Sequence, residues 1–129
     1  MQSTQKIAVL MLALIVLCTG MITHSQAAAG QQPTLFFTAL SDIPAMNGLI
    51  ELEDYTLVYD KPEGRIIEMV ARLEGQSIEN VRQYYKSTLP ELGWRVVNDN
   101  LYARGAENLS LGYETRNGQS YVRFTIQPQ

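Results

Sequence analysis

Hydrophobic and polar residues alternate along the C-terminal part of the chain, and this two-residue period is typical of β-strands. The alternation is clearest over 120–126 and over 108–113. Asn117-Gly118 lies between these two segments and predicts a tight hairpin turn. Two shorter runs, 94–98 and 101–104, are also bounded by turn-forming residues. Together the four runs predict an antiparallel meander.

A second hairpin is predicted nearer the N-terminus. Segments 55–59 and 65–72 are rich in β-branched and aromatic residues. The five residues 60–64 between them contain a proline and end in a glycine, as in a reverse turn. In the second strand one face is apolar, formed by Ile67, Met69, Ala71 and Leu73.

The hydrophobic period changes to three and four residues after Ser77, which predicts a helix from Ile78 to about Leu89. Ser77 is the expected N-cap, and Pro90 and Gly93 are expected to end the helix. The predicted apolar stripe consists of Ile78, Val81, Tyr85, Thr88 or Leu89, and Leu92.

The order of these elements predicts an α+β fold. Two strands, one helix and three or four further strands fit a single helix packed on one face of an antiparallel sheet, in the order ββαβββ(β). We expect this single domain to occupy residues 35–129, after a flexible leader at 30–34.

Residues 1–29 have the features of an export signal. Lys6 precedes an apolar core over 7–17, and small residues near Ala27 and Ala29 supply two cleavage sites. We expect a cleaved signal and a periplasmic or secreted domain. The alternative is a retained anchor, in which case the membrane is contacted only through this N-terminal segment.

The single cysteine and the single histidine, Cys18 and His24, both lie within the predicted signal. A mature domain without them lacks a thiol nucleophile, an imidazole base and the commonest zinc ligands. Without Lys6, nine basic and thirteen acidic residues remain, and they include no basic cluster. The composition therefore argues against nucleic-acid binding, and no motif indicates a cofactor or a metal ion.

The loop between residues 41 and 49 is the first candidate site. A proline stiffens it, an Asn-Gly pair punctuates its backbone, and its apolar side chains, if exposed, would form an adaptable protein-contact patch. The alternative is that the same side chains close one end of the core. The candidate interaction residues are Asp42, Ile43, Pro44, Met46 and Leu49.

Three aromatic residues are the second candidate. Tyr84, Tyr85 and Trp94 could line a ligand groove between the helix and the sheet, or could be ordinary core residues. A third candidate is the acidic trio Glu51, Glu53 and Asp54, which lies just before the first predicted strand. Two carboxyl groups facing each other across a cleft could hydrolyse glycans, whereas a solvated acidic loop is the alternative.

Three sequence motifs carry a resemblance to a group of proteins. They are Asp42-x-Pro44-x-Met46-x-Gly48-Leu49, Asp60-x-Pro62-x-Gly64-Arg65-Ile66 and Val81-x-x-Tyr84-Tyr85-x-x-x-Leu89-Pro90-x-Leu92-Gly93-Trp94. With these motifs, residues 35–126 resemble small uncharacterised exported proteins of alphaproteobacteria. The resemblance implies a Gram-negative periplasmic setting and assigns no catalytic residue.

These observations favour a non-enzymatic module that binds another protein of the cell envelope. One alternative is a carrier of a small apolar ligand or lipid in a groove between helix and sheet. The other is an enzyme that uses carboxylates alone and acts on glycans.

Overall fold

A computed structural model describes residues 35–129, which belong to one compact unit. These residues contain six strands and one helix. Their bounds are β1 Leu49–Lys61, β2 Gly64–Leu73, α1 Ile78–Glu91, β3 Arg95–Asn98, β4 Leu101–Arg104, β5 Glu107–Arg116 and β6 Gln119–Pro128. The predicted α+β class and element order are confirmed, and the C-terminal meander has four strands, the larger of the two predicted numbers.

All six strands form one antiparallel sheet in the order β1-β2-β6-β5-β4-β3. Neighbouring strands are consecutive in the chain except for β2 and β6, which pair from Ile67 opposite Ile126 to Arg72 opposite Tyr121. The last strand therefore lies inside the sheet and joins the N-terminal hairpin to the meander. The sheet has two edges, β1 and β3.

Buried and less buried residues alternate along strand β2, as predicted, because helix α1 and the loop at 35–48 cover one of its faces. Ile67, Met69, Ala71 and Leu73 are buried on that face, opposite the apolar residues of β6. Val70 points to the other face of the sheet and is nevertheless buried. The second face of the sheet is thus partly covered as well.

Helix α1 begins as its sequence predicts. The side chain of Ser77 accepts a hydrogen bond from the backbone N–H of Asn80, at 3.1 Å, which satisfies a first-turn donor. The helix continues to Glu91 and includes Pro90 in its last turn. Leu92 is the C-cap and is partly exposed, so its predicted place in the buried stripe was wrong. Gly93 then leaves the helix with a φ of 86°.

The hairpin between β5 and β6 has a two-residue loop. Arg116 pairs with Gln119, and both loop residues have positive φ, 51° for Asn117 and 76° for Gly118. An Asn-Gly pair in this conformation matches the right-handed twist of the flanking strands. The predicted hairpin and its turn are therefore confirmed.

The segment 35–48, which we call the N-terminal loop, covers the sheet beside helix α1. Its side chains Phe37, Leu40 and Ile43 are buried in the same core as the helix residues. The hydroxyl of Tyr85 on the helix donates a hydrogen bond to the carbonyl oxygen of Pro44 at 2.9 Å. The helix and the N-terminal loop thus form one continuous layer on the sheet.

Strand β1 begins six residues earlier than predicted, at Leu49 instead of Tyr55. It pairs with β2 over 49–52 and again over 57–61, and a bulge of residues 53–56 interrupts the pairing. The bulge hides the alternation on which strand prediction depends. Glu51, Glu53 and Asp54 therefore belong to β1 and not to a loop before it.

Among residues 35–129, no helix has the length and apolar content needed to cross a lipid bilayer. The predicted export signal and the predicted leader lie outside the described residues, and both stay predictions.

Candidate functional site

The predicted interaction loop does not form an exposed apolar patch. Ile43, Pro44 and Leu49 are buried, and Met46 packs against the core. The loop has this conformation because its apolar side chains close the part of the sheet that helix α1 leaves open. Its alternative role, closing the core, is the one that the structure shows, and the exposed contact patch was wrong.

The predicted groove aromatics are core residues. Tyr85 and Trp94 are fully buried, and Tyr84 lies at the margin with its ring 5.0 Å from that of Tyr85. Tyr85 also contacts Phe124 of the sheet edge-to-face, with ring centroids 5.1 Å apart. These rings fill the space between helix and sheet, so of the two roles considered for them the structure shows core packing and not a ligand groove.

The acidic trio does not surround a cleft. The carboxylate of Glu51 accepts hydrogen bonds from the backbone N–H groups of Thr38, at 2.7 Å, and Ala39, at 3.1 Å. Glu53 and Asp54 are exposed in the bulge. Glu51 thus anchors the N-terminal loop, and the arrangement lacks the paired carboxyl groups that glycan hydrolysis needs.

A cluster of four charged residues, which no local sequence pattern indicated, lies at one end of the sheet. Arg65 bridges Asp42 of the N-terminal loop, at 2.9 Å, and Glu107 of β5, at 2.7 Å. Arg104 also pairs with Asp42 and stacks on the ring of Trp94, 4.2 Å from its centroid. The cluster fastens the loop to three strands.

The electrostatics of this cluster favour its ionised form. Burial raises the pKa of the Asp42 carboxyl, but hydrogen bonds and positive charge from Arg65 and Arg104 outweigh burial and hold that pKa below its ordinary value. The hydrogen bond to Glu107 raises the pKa of the Arg65 guanidinium against the opposing effect of burial. All four side chains thus have a structural partner, and the cluster accounts for the fixed position of the loop.

A shallow groove lies on the face of the sheet opposite the helix, with a volume of about 170 Å³. Val70 of β2 forms its apolar floor, and Tyr55 from the bulge of β1 lines one side. The remaining lining residues are Leu52, Glu114, Arg116, Tyr121 and Arg123. The bulge thus explains why Val70 is buried on a face that the helix does not cover.

The most unusual surface of the molecule is strand β1. It is thirteen residues long and lies at the edge of the sheet. An edge strand directs alternate backbone N–H and C=O groups away from the sheet, where another strand can pair with them. Proteins usually keep such edges short or charged, whereas β1 carries exposed apolar side chains, namely Ile50, Tyr55, Leu57, Val58 and Tyr59.

The exposed apolar residues of β1 lie on both faces of the sheet. Leu57 and Tyr59 pair with Glu68 and Ile66 on the open face, and Val58 pairs with Ile67 on the helix side. We call Leu57–Tyr59 the apolar edge. Half or more of each of its three side chains is exposed.

A matching edge at β3 is much smaller. It has four residues, of which Val96 and Val97 are partly exposed apolar side chains.

Segment 55–59 was recognisable as a strand from its composition, but its position at the edge depends on the pairing of β2 with β6. No local sequence pattern indicates that β2 pairs with β6.

Within residues 35–129, no three His, Cys, Asp or Glu side chains are grouped closely enough to hold a metal ion. Comparison of the chain with protein-family models, with curated proteins and with solved structures finds no match. The resemblance to small exported proteins of alphaproteobacteria therefore stays a prediction, and any function is argued from the surface just described.

Proposed function

We propose that the protein is a non-enzymatic interaction module of the cell envelope, which binds an extended segment of another protein along β1. The observation that carries the proposal is the apolar edge at Leu57–Tyr59, which is exposed on a long edge strand. Addition of a strand to such an edge is a common way for domains to bind peptides, because the backbone supplies the hydrogen bonds and the side chains supply selectivity.

The location in the envelope is part of the same proposal. It is supported by the predicted export signal at residues 1–29 and by the resemblance carried by the three motifs. The other candidate sites do not compete with β1. Tyr85 and Trp94 are buried in the core, and Glu51 anchors the N-terminal loop.

Site-specific photo-cross-linking in whole cells tests the proposal. A photoreactive phenylalanine derivative replaces Tyr59 at the apolar edge or, as the matched control, Val97 at the opposite edge, because both side chains are about half exposed. We expect a cross-linked partner peptide at position 59 that disappears when Val58→Asp is also present.

The outcomes separate the two edges. Cross-links at position 97 but not at 59 would place the binding surface at β3 and refute the proposal. Persistence of the cross-link at position 59 in the Val58→Asp variant would also refute it, because a charge at the centre of the apolar edge should prevent strand addition. Circular dichroism of each variant checks that the fold is retained, as expected for exposed positions.

A further inference from the structure

Exposed charges flank the apolar edge on both sides. Glu53 and Asp54 lie in the bulge before it, and Asp60 and Glu63 follow it. Lys61 is the one basic residue between positions 49 and 64. The apolar edge is therefore flanked by four exposed carboxylates. The basic side chains beside it are Lys61 and Arg65, and Arg65, which lies opposite Asp60 on β2, is paired with Asp42 and Glu107.

We infer that the segment bound by β1 is a short extended peptide with an apolar centre and basic residues at both ends. This inference rests on the proposed function and specifies its ligand. Lysine or arginine at each end of the segment would lie near the carboxylates on the corresponding side of Leu57–Tyr59. Opposite charges on neighbouring strands attract, and like charges repel.

The geometry of β1 also sets the length of the segment. Regular pairing with β2 runs from Leu57 to Lys61 and stops at the bulge 53–56. A bulge twists an edge strand and interrupts its ladder. The segment that pairs regularly with β1 should therefore be about five residues long. Its apolar side chains should lie against Leu57–Tyr59 and on both faces, because Leu57 and Val58 are exposed on opposite faces.

The same charges disfavour pairing of β1 with a second copy of itself. In any register, each copy would bring the same excess of carboxylates over basic side chains to the shared edge. Like charges directly opposite each other in a sheet are destabilising. The carboxylates thus protect an apolar edge from self-association and leave it available to a basic partner.

Two synthetic peptides with blocked termini test the inference. Both have the centre Thr-Val-Ile-Val-Thr; one carries two lysines at each end, and the control carries two glutamates at each end. Binding to the purified protein is measured by fluorescence anisotropy at low salt and at about 1 M salt, where screening extends to only about 3 Å. We expect the lysine peptide to bind about tenfold more tightly at low salt, and this ratio to approach one at high salt.

Protein variants assign the preference to the named carboxylates. The double substitution Asp54→Asn and Asp60→Asn should weaken the preference, because it removes one of the two carboxylates on each side of the apolar edge. The matched double substitution Glu91→Gln and Asp99→Asn changes two exposed carboxylates elsewhere and should leave the preference unchanged.

The failures of the two proposals are distinguishable. Equal binding of both peptides, sensitive to Val58→Asp, would refute the charge inference and leave the proposed function in place. Failure of both peptides to bind would refute strand addition to β1 and the inference with it. A preference for lysine that is undiminished by the Asp54→Asn and Asp60→Asn substitutions would show that carboxylates elsewhere attract the peptide and would also refute the inference.

Discussion

Removal of one hydroxyl group, in Tyr85→Phe, should weaken the attachment of the N-terminal loop to helix α1. The Tyr85 hydroxyl donates to the carbonyl oxygen of Pro44 at 2.9 Å and accepts from the N–H of Met46 at 3.4 Å. Phenylalanine preserves the packing of the ring but leaves the buried carbonyl without this donor. A buried polar group without its partner costs about 1–3 kcal/mol. The long bond to Met46 adds little, since that N–H is only partly buried.

The loss is measured by urea unfolding, followed through the fluorescence of Trp94, the single tryptophan of the chain. We expect a lower midpoint with an unchanged slope. Thermal unfolding should show a fall in Tm of about 4–8 °C for each kcal/mol in a domain of this size. Limited proteolysis should cleave the variant faster within residues 35–48.

Tyr84→Phe is the matched control. Tyr84 precedes Tyr85 on the helix, and within the described residues its hydroxyl makes no hydrogen bond. Its substitution should leave stability and proteolysis nearly unchanged. Equal stability of Tyr85→Phe and Tyr84→Phe would refute the argument that the hydroxyl of Tyr85 holds the loop.

Three further substitutions, the last with a matched control, test other parts of the fold. Trp94→Ala should cost about 3–5 kcal/mol in chemical unfolding followed by circular dichroism, because the buried indole leaves a cavity; a loss below about 1 kcal/mol would contradict its place in the core. The folded protein lowers the pKa of Asp42, so the contribution of this carboxylate to stability is complete above its ordinary pKa of 3.8 and is lost as the pH falls through the lowered value. Asp42→Asn should therefore weaken the dependence of the unfolding free energy on acid pH. An unchanged dependence would exclude the ion cluster as its source. Gly48→Ala should destabilise the protein by well over about 1 kcal/mol, since Gly48 has a φ of 88° and a Cβ there would lie 2.5 Å from the carbonyl oxygen of Glu74. Gly75→Ala is the control, with a φ of 67° and no atom of the described structure near the added Cβ, and it should cost clearly less. Thermal unfolding measures both losses, and equal losses would contradict the close contact at Gly48.

Local patterns predicted the elements whose stability is mainly local. The N-cap at Ser77, the Asn117-Gly118 turn and the alternating faces of β2 each depend on residues within a few positions of one another. Capping, turn geometry and two-residue periodicity are short-range effects. They could therefore be recognised without knowledge of the fold.

The remaining features depend on contacts between distant parts of the chain. The first half of β1 was missed because the bulge at 53–56 interrupts its period, and its acidic residues suggested a loop. The burial of Ile43 depends on the space left beside helix α1. The ion cluster joins positions 42, 65, 104 and 107, whose separation in sequence gives no local signal.

The interior position of β6 has a consequence for the order in which the domain is completed. Synthesis begins at the N-terminus, yet the strand that joins β2 to β5 is the last to be made. Until residues 119–128 are present, the first hairpin and the later strands lack their shared neighbour, and pairing across such sequence distances is slow to form. The six-stranded sheet thus closes only after residues 119–128 have been made, and a nascent chain that lacks them holds two unjoined parts of the sheet.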